Sequence, residues 1–250
     1  MIPKVIHYCW FGRNSLPKLA QDCIESWKKY LPDYEIKEWN ENNFDVDSIP
    51  YTKEAYGAKK YAFVSDYARF WILYHYGGIY FDTDVEVIKP MDDIINYGPF
   101  MGCENTAESG ATPMELGVAP GLGLGCNPGL IFFKEMLDLY ATLRFINPDG
   151  TYNQKTIVAY TTEMLCKYGL KNMDEIQKCV DIWIYPKEYF CPLDYRTKEM
   201  KITRNTYSIH HYTASWYSKG QKSLKIARQI LGDKIALYIA QLLKKYRFVR

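Results

Sequence analysis

Residues 65–87, SDYARFWILYHYGGIYFDTDVEV, constrain this chain more than any other stretch. Apolar side chains cover most faces of residues 58–76, which predicts a largely buried helix. Gly77-Gly78 ends it, and Ile79-Tyr80-Phe81 opens a β run that continues through Val85, Val87 and Ile88 to Pro90. Asp82 and Asp84 fall inside that run. Extended backbone sends residues i and i+2 to the same side, so both carboxylates can present hard oxygen ligands to one Mg²⁺ or Mn²⁺. Aspartate is disfavoured in strands and expensive to bury unpaired. Two of them between Tyr80-Phe81 and Val85 therefore need a reason, and a cation shared with a bound diphosphate supplies one. Upstream, Asp66 and Arg69 stand three apart on one helix face and can both point toward the Asp82 end of the strand; an internal ion pair that merely satisfies two charges is the alternative. Lys59 and Lys60 read as a solvated helix start.

The remaining pattern is that of an α/β chain. Residues 4–8 form a short β-rich run before Trp10-Phe11-Gly12, and a helical pattern with Leu19, Cys23, Ile24 and Trp27 follows Pro17. YEIKEW at 34–39 alternates as a strand. Residues 98–129 are rich in Gly, Pro and small side chains and predict short strands and loops wrapping over a site. Helical patterns resume at 130–143 and 154–168, β-like runs at 181–185 and 207–212, and a long amphipathic helix is expected over 223–246. At 250 residues and 48% hydrophobic content, one core with insertions accounts for the length. The expected division is a domain at 1–220 and a basic amphipathic helix at 221–250.

Composition excludes several classes. A formal charge of +2 gives no global argument for nucleic acid. Seven scattered cysteines without a C-x-x-C pair indicate neither a disulfide framework nor a zinc site, which predicts a reducing, cytoplasmic setting. No apolar run is long enough to predict a transmembrane span, and no signal peptide is expected.

Four segments, IPKVIHYCWFG, SDYARFWILYHYGG, IYFDTDVEV and IHHYTASW, occur in the order found in glycosyltransferase family 32. From Ile2 to Trp216 the chain resembles that family, which is related to the catalytic domains of large clostridial glucosylating toxins. The resemblance implies a GT-A fold, a Rossmann-like α/β/α sandwich around a mixed sheet, and hexose transfer from a nucleotide sugar with retention of configuration. A UDP-sugar is the expected donor, with GDP-mannose the alternative. The implied acceptor is a saccharide or lipid-linked saccharide in surface polysaccharide synthesis. Position by position, it implies that Trp10 stacks on the base while the Cys9 backbone meets the base edge, that Asp66 and Arg69 bind the sugar, and that Tyr80 borders the ribose. It further implies that Asp82 touches the ribose or a metal-bound water and that Asp84 binds the metal directly. Adjacent strand histidines face opposite sides; the resemblance assigns the third ligand to His211, with the exchange for His210 left open. Ser215 and Trp216 match a loop that closes over the diphosphate, although the toxin domains place one residue between the two. Asp82, Asp84, Arg69 and Trp216 are thus the expected catalytic set, with Mn²⁺ or Mg²⁺ as cofactor.

The tail is electrostatically distinct. Residues 219–250 carry nine Lys or Arg and one Asp, a net of +8 against −6 for residues 1–218. This predicts a peripheral contact with anionic membrane, the alternative being a helix packed on the domain with a solvated basic face. Two other functional classes compete with transfer: a glycan- or nucleotide-binding protein on the same fold, and a metal-dependent phosphohydrolase, which would bring more carboxylates or a nucleophile motif.

Overall fold

The computed structural model describes residues 1–106, 115–195 and 197–213. Ser215, Trp216 and the expected helix at 221–250 lie outside the described residues. The strand β1 (Val5–Cys9) is followed by α1 (Lys18–Tyr30), which begins after Pro17 and buries Ala20, Cys23, Ile24 and Trp27 along one stripe. β2 (Glu35–Trp39) pairs in parallel with β1 and forms one edge of the main sheet. The helix expected over 58–76 is α3 (Tyr61–Tyr76), and a separate helix, α2 (Pro50–Gly57), with proline in its first turn, precedes it. The break between them contains Lys59 at φ 57°, a left-handed conformation that a continuous helix excludes.

Gly77 and Gly78 turn α3 into β3 (Gly78–Tyr80) at φ 63° and 97°. A Cβ on Gly77 would stand 2.6 Å from Pro128 Cδ, and one on Gly78 would stand 2.6 Å from the Val5 carbonyl oxygen. Only glycine lets helix and strand reverse this tightly. The single β run expected through Asp82 and Asp84 is not present. β3 ends at Tyr80, the chain turns, and β4 (Val85–Val87) enters a different, two-stranded sheet with β9 (Ser208–His210). The physical reason is pairing: β3 finds its ladder in β1 and β6, whereas β4 finds its own in a strand more than a hundred residues later.

After α4 (Asp92–Ile95), the glycine-rich region supplies β5 (Phe100–Gly102) and β6 (Leu124–Cys126). α5 (Ile131–Thr142) and α6 (Ile157–Lys167) match the expected helices, and Thr156 caps α6 by accepting from the Ala159 amide. β7 (Gln177–Cys179), β8 (Ile182–Tyr185) and α7 (Lys187–Phe190) complete the fold. The seven-stranded sheet has the order β2-β1-β3-β6-β5-β8-β7. β2, β1, β3, β5 and β8 run the same way, while β6 and β7 run against them. Apolar side chains of α2, α3, α5 and α6 form one buried cluster with the sheet, and those of α1, α4 and α7 form a second. The expected α/β/α sandwich around a mixed sheet is therefore present within the unit Met1–Tyr212. The seven cysteines are free thiols. Among the described residues no helix is long and apolar enough to cross a membrane.

Candidate active site

In an open α/β sheet the crevice for a ligand lies outside the carboxyl ends of the parallel strands. Here those ends deliver Cys9-Trp10 from β1 and Phe81-Asp82 from β3, one strand spacing apart. Asp82 is fixed through its backbone: its amide donates to the Gly121 carbonyl at 3.0 Å, and its carbonyl accepts from the Val85 amide at 3.0 Å, closing the turn that carries Thr83 and Asp84. The two aspartates are therefore presented by a turn, not by an extended strand.

The Asp82 carboxylate is held by a buried fork. Arg69 Nη2 lies 3.3 Å from Asp82 Oδ1, Nη1 donates to Oδ2 at 3.4 Å, and the Tyr80 hydroxyl donates to Oδ1 at 3.1 Å. Arg69 also donates to Asp66 Oδ1 at 3.1 Å and from Nε to the Ser65 carbonyl, and its guanidinium lies 4.9 Å from the Tyr80 ring centroid. Burial disfavours charge on Arg69, but Asp82, Tyr80 and Asp66 outweigh it and hold the guanidinium protonated. Burial pushes the Asp66 carboxyl up to about 7 despite Arg69 beside it. Tyr80 is 1% exposed and supports Asp82 from beneath. The Arg69 side chain is 4% exposed and gives its donors to two carboxylates and a carbonyl, so it positions Asp82.

Asp84 is joined to the other sheet. His210 Nε2 lies 3.1 Å from Asp84 Oδ1, both side chains largely buried, and the backbone amide of His211 donates to the Asp84 carbonyl. Burial alone would lower the His210 pKa, but the charge of Asp84 and its hydrogen bond raise it to about 10. His211 points elsewhere, to Glu86 Oε2 at 2.9 Å. Register explains the exchange: Val85 faces His210 across the β4–β9 ladder, so His210 is the histidine beside the turn. Among the described residues no three His, Cys, Asp or Glu side chains converge as a ready metal centre, and the set Asp82, Asp84 and His211 is not assembled. Two carboxylates on one short turn instead fit a cation that brings most of its oxygen ligands with a diphosphate, the usual manner for Mg²⁺.

Trp10 is half-buried; its amide donates to the Trp39 carbonyl and its indole N–H to the Asn14 carbonyl. Cys9 is buried, and burial pushes its thiol up to about 12, which makes it inert as a nucleophile. Gly121 was not singled out by sequence. A Cβ there would stand 2.0 Å from Asp82 Oδ2 and 3.0 Å from Arg69 Nη1, so this glycine makes room for the Asp82 carboxylate.

Residues 17–101 match the family model described as "Glycosyltransferase sugar-binding region containing DXD motif". That stretch contains Asp66, Arg69, Tyr80, Asp82 and Asp84, and over it the resemblance read from the sequence is borne out. Inositol phosphoceramide mannosyltransferase 3 of Schizosaccharomyces pombe is 32% identical over 124 residues, 48% of this chain and 34% of that protein. An uncharacterized glycosyltransferase of Acanthamoeba polyphaga mimivirus is 34% identical over 110 residues, 40% of this chain and 42% of that protein. A solved glycosyltransferase involved in glycosylation of the major capsid of PBCV-1 aligns with a TM-score of 0.47 and 13% identity over 85% of this chain and 95% of its own. The chain spans about a third of the length of the mannosyltransferase relatives it matches.

Proposed function

We propose that this chain is a glycosyltransferase that moves a hexosyl group from a nucleotide sugar to a hydroxyl of a saccharide or lipid-linked saccharide. The observation that carries this reading is the Asp82-Thr83-Asp84 turn, anchored by Arg69, Tyr80 and His210 at the carboxyl ends of the parallel strands of a mixed sheet, with Trp10 one strand away. Trp10 offers a face for the base, a contact of roughly 1 to 3 kcal/mol. Asp84, and after it Asp82, would hold Mn²⁺ or Mg²⁺ against the diphosphate. When bound, that cation neutralises charge on the departing nucleoside diphosphate. The fork from Arg69 and the Tyr80 hydroxyl keep Asp82 in one rotamer for the ribose or a metal-bound water, and the His210 ring orients Asp84 by its hydrogen bond. We assign Trp216 and Ser215, on the resemblance alone, to closure over the donor.

Retention, which the resemblance alone implies, would here proceed without a protein nucleophile, through a front-face, oxocarbenium-like transition state in which the donor's own phosphate oxygen takes the acceptor proton. The names of the fungal relatives put a mannosyl donor beside the UDP-hexoses in the first panel to test. The basic tail would bring the enzyme to the anionic face of a membrane where a lipid-linked acceptor resides.

A thermal-shift panel of UDP-hexoses and GDP-mannose, each with and without Mn²⁺, tests the donor. At a hundred times its Kd a ligand adds about 2.7 kcal/mol to apparent stability, which for a chain of this size raises Tm by roughly 5 to 10 °C. One donor is expected to give that shift in the presence of Mn²⁺. No shift with any nucleotide sugar would refute the reading, and free sugar 1-phosphate as the product would favour the phosphohydrolase.

A further inference from the structure

Trp10 reaches the crevice from a loop whose conformation is fixed from outside it. Its indole N–H donates to the Asn14 carbonyl at 2.6 Å, so the orientation of the ring follows the path of residues 11–13. That path is uncommon: Gly12 has φ 96° and Arg13 φ 57°. Successive left-handed residues, one of them carrying a side chain, persist only where their surroundings over-determine them. Here the surroundings do. The Phe11 ring packs edge-on against Phe44, 5.8 Å between centroids, and the Gly12 amide donates to Glu41 Oε1. A Cβ on Gly12 would stand 2.3 Å from Tyr61 Cε2, so the backbone lies directly on the Tyr61 ring.

Glu41 is itself held. It belongs to the turn after β2, where the Phe44 amide donates to the Asn40 carbonyl at 3.0 Å and the Asn40 amide to Asn43 Oδ1 at 2.8 Å. Burial disfavours charge on the Glu41 carboxyl, but the Gly12 amide, its own backbone amide, the Tyr56 hydroxyl and Arg13 outweigh it and hold the carboxyl below its ordinary value. A bond from an amide to such a carboxylate is roughly twice as strong as one to a neutral acceptor. Tyr56 of α2 in turn lies 5.4 Å from the Tyr61 ring of α3. We propose that Glu41 is a positioning residue for donor binding: through the Gly12 amide, with Tyr61 packed on the same residue, it holds the loop in the conformation that brings the Asn14 carbonyl to the Trp10 indole and presents the ring to the base. Without that anchor the ring has to be ordered as the nucleotide binds, and affinity falls accordingly. The inference rests on the reading of Trp10 as the base platform and adds to it the residues that make the platform rigid.

Titration calorimetry of the full chain with UDP and with GDP, each in the presence of Mn²⁺, tests it. The variants are Trp10→Ala, Glu41→Ala, Glu41→Gln, Gly12→Ala and the double variant Trp10→Ala with Glu41→Ala. Glu41→Ala is expected to weaken nucleotide binding at least fivefold. Glu41→Gln keeps an oxygen for the Gly12 amide and should stay within twofold of the unsubstituted chain. Gly12→Ala, which drives a Cβ into Tyr61, should reproduce the loss with Glu41 intact. In the Trp10→Ala background Glu41→Ala should add less than twofold, because a residue that acts through Trp10 has nothing left to act on. The proposal is overturned if Glu41→Ala weakens binding less than fivefold, if Glu41→Gln recovers none of the loss, or if Gly12→Ala leaves affinity unchanged. It is equally overturned if the losses from Trp10→Ala and Glu41→Ala multiply in the double variant, as they would for a residue that merely supports the fold. Unchanged affinity in Trp10→Ala would bring down the reading of Trp10 and the proposal with it, and absence of binding by the unsubstituted chain would bring down the donor reading beneath both.

Discussion

Gly121 and Asp82 meet so closely that the glycine's missing side chain is part of the site. Gly121→Ala forces Asp82 or Arg69 to move; overpacking of this kind destabilises by about 1 to 3 kcal/mol, and nucleotide affinity measured by titration should fall at least tenfold. Arg69→Lys keeps a charge but loses the fork that spans Asp66 and Asp82. It should lower Tm and weaken nucleotide binding together, and a variant with both unchanged would contradict the supporting role. Asp66, Arg69, Asp82 and Asp84 were legible in the sequence because charged residues inside apolar stretches demand partners. The choice between His210 and His211 was not, since it depends on the register of β9 against β4, and Gly121 was hidden among the small residues of a segment without periodicity.

At the scale of elements, α1 fastens the turn. Trp27, fully buried, donates its indole N–H to the Val85 carbonyl at 2.7 Å, and the Ser26 hydroxyl accepts from the Val87 amide. Trp27→Phe leaves a buried carbonyl unsatisfied, a loss of about 1 to 3 kcal/mol, and should lower Tm by roughly 2 to 12 °C. Between β1 and β2, Trp39 donates to His7 Nδ1 at 3.0 Å, so Nε2 carries the proton and donates to the Gly77 carbonyl. Burial, reinforced by the charge of Lys37 and only partly offset by the Gly77 bond, lowers His7 to about 4. Its folded pKa is therefore below its unfolded value near 6.5. The associated stability, about 3 kcal/mol, is present above pH 6.5 and is lost as pH falls toward 4. Tm curves of the wild type and His7→Gln should converge as pH falls through that window, and parallel curves would contradict the assignment. Most elements followed from periodicity. The break between β3 and β4 did not, because Ile79 to Ile88 reads as one strand until the partner of each half is known.

For the molecule as a whole, strand direction decides where chemistry is placed: one carboxyl edge collects Trp10 and Asp82 from β1 and β3, segments far apart in sequence. That juxtaposition could not be read from the chain, whereas the α/β class could. The charge asymmetry belongs to this scale too. Removing residues 244–250, which include four Lys or Arg, should weaken co-sedimentation with anionic liposomes at least a hundredfold, each such residue near the surface contributing about 1 kcal/mol; unchanged binding would sink the tail's role. The central claim is that the Asp82-Thr83-Asp84 turn holds a cation against a nucleotide diphosphate. It is tested most directly by measuring Mn²⁺-dependent nucleotide binding and hexosyl transfer in Asp84→Asn. The account predicts that binding loses its dependence on Mn²⁺ and that transfer falls at least a hundredfold; retention of most transfer together with metal-dependent binding would contradict it.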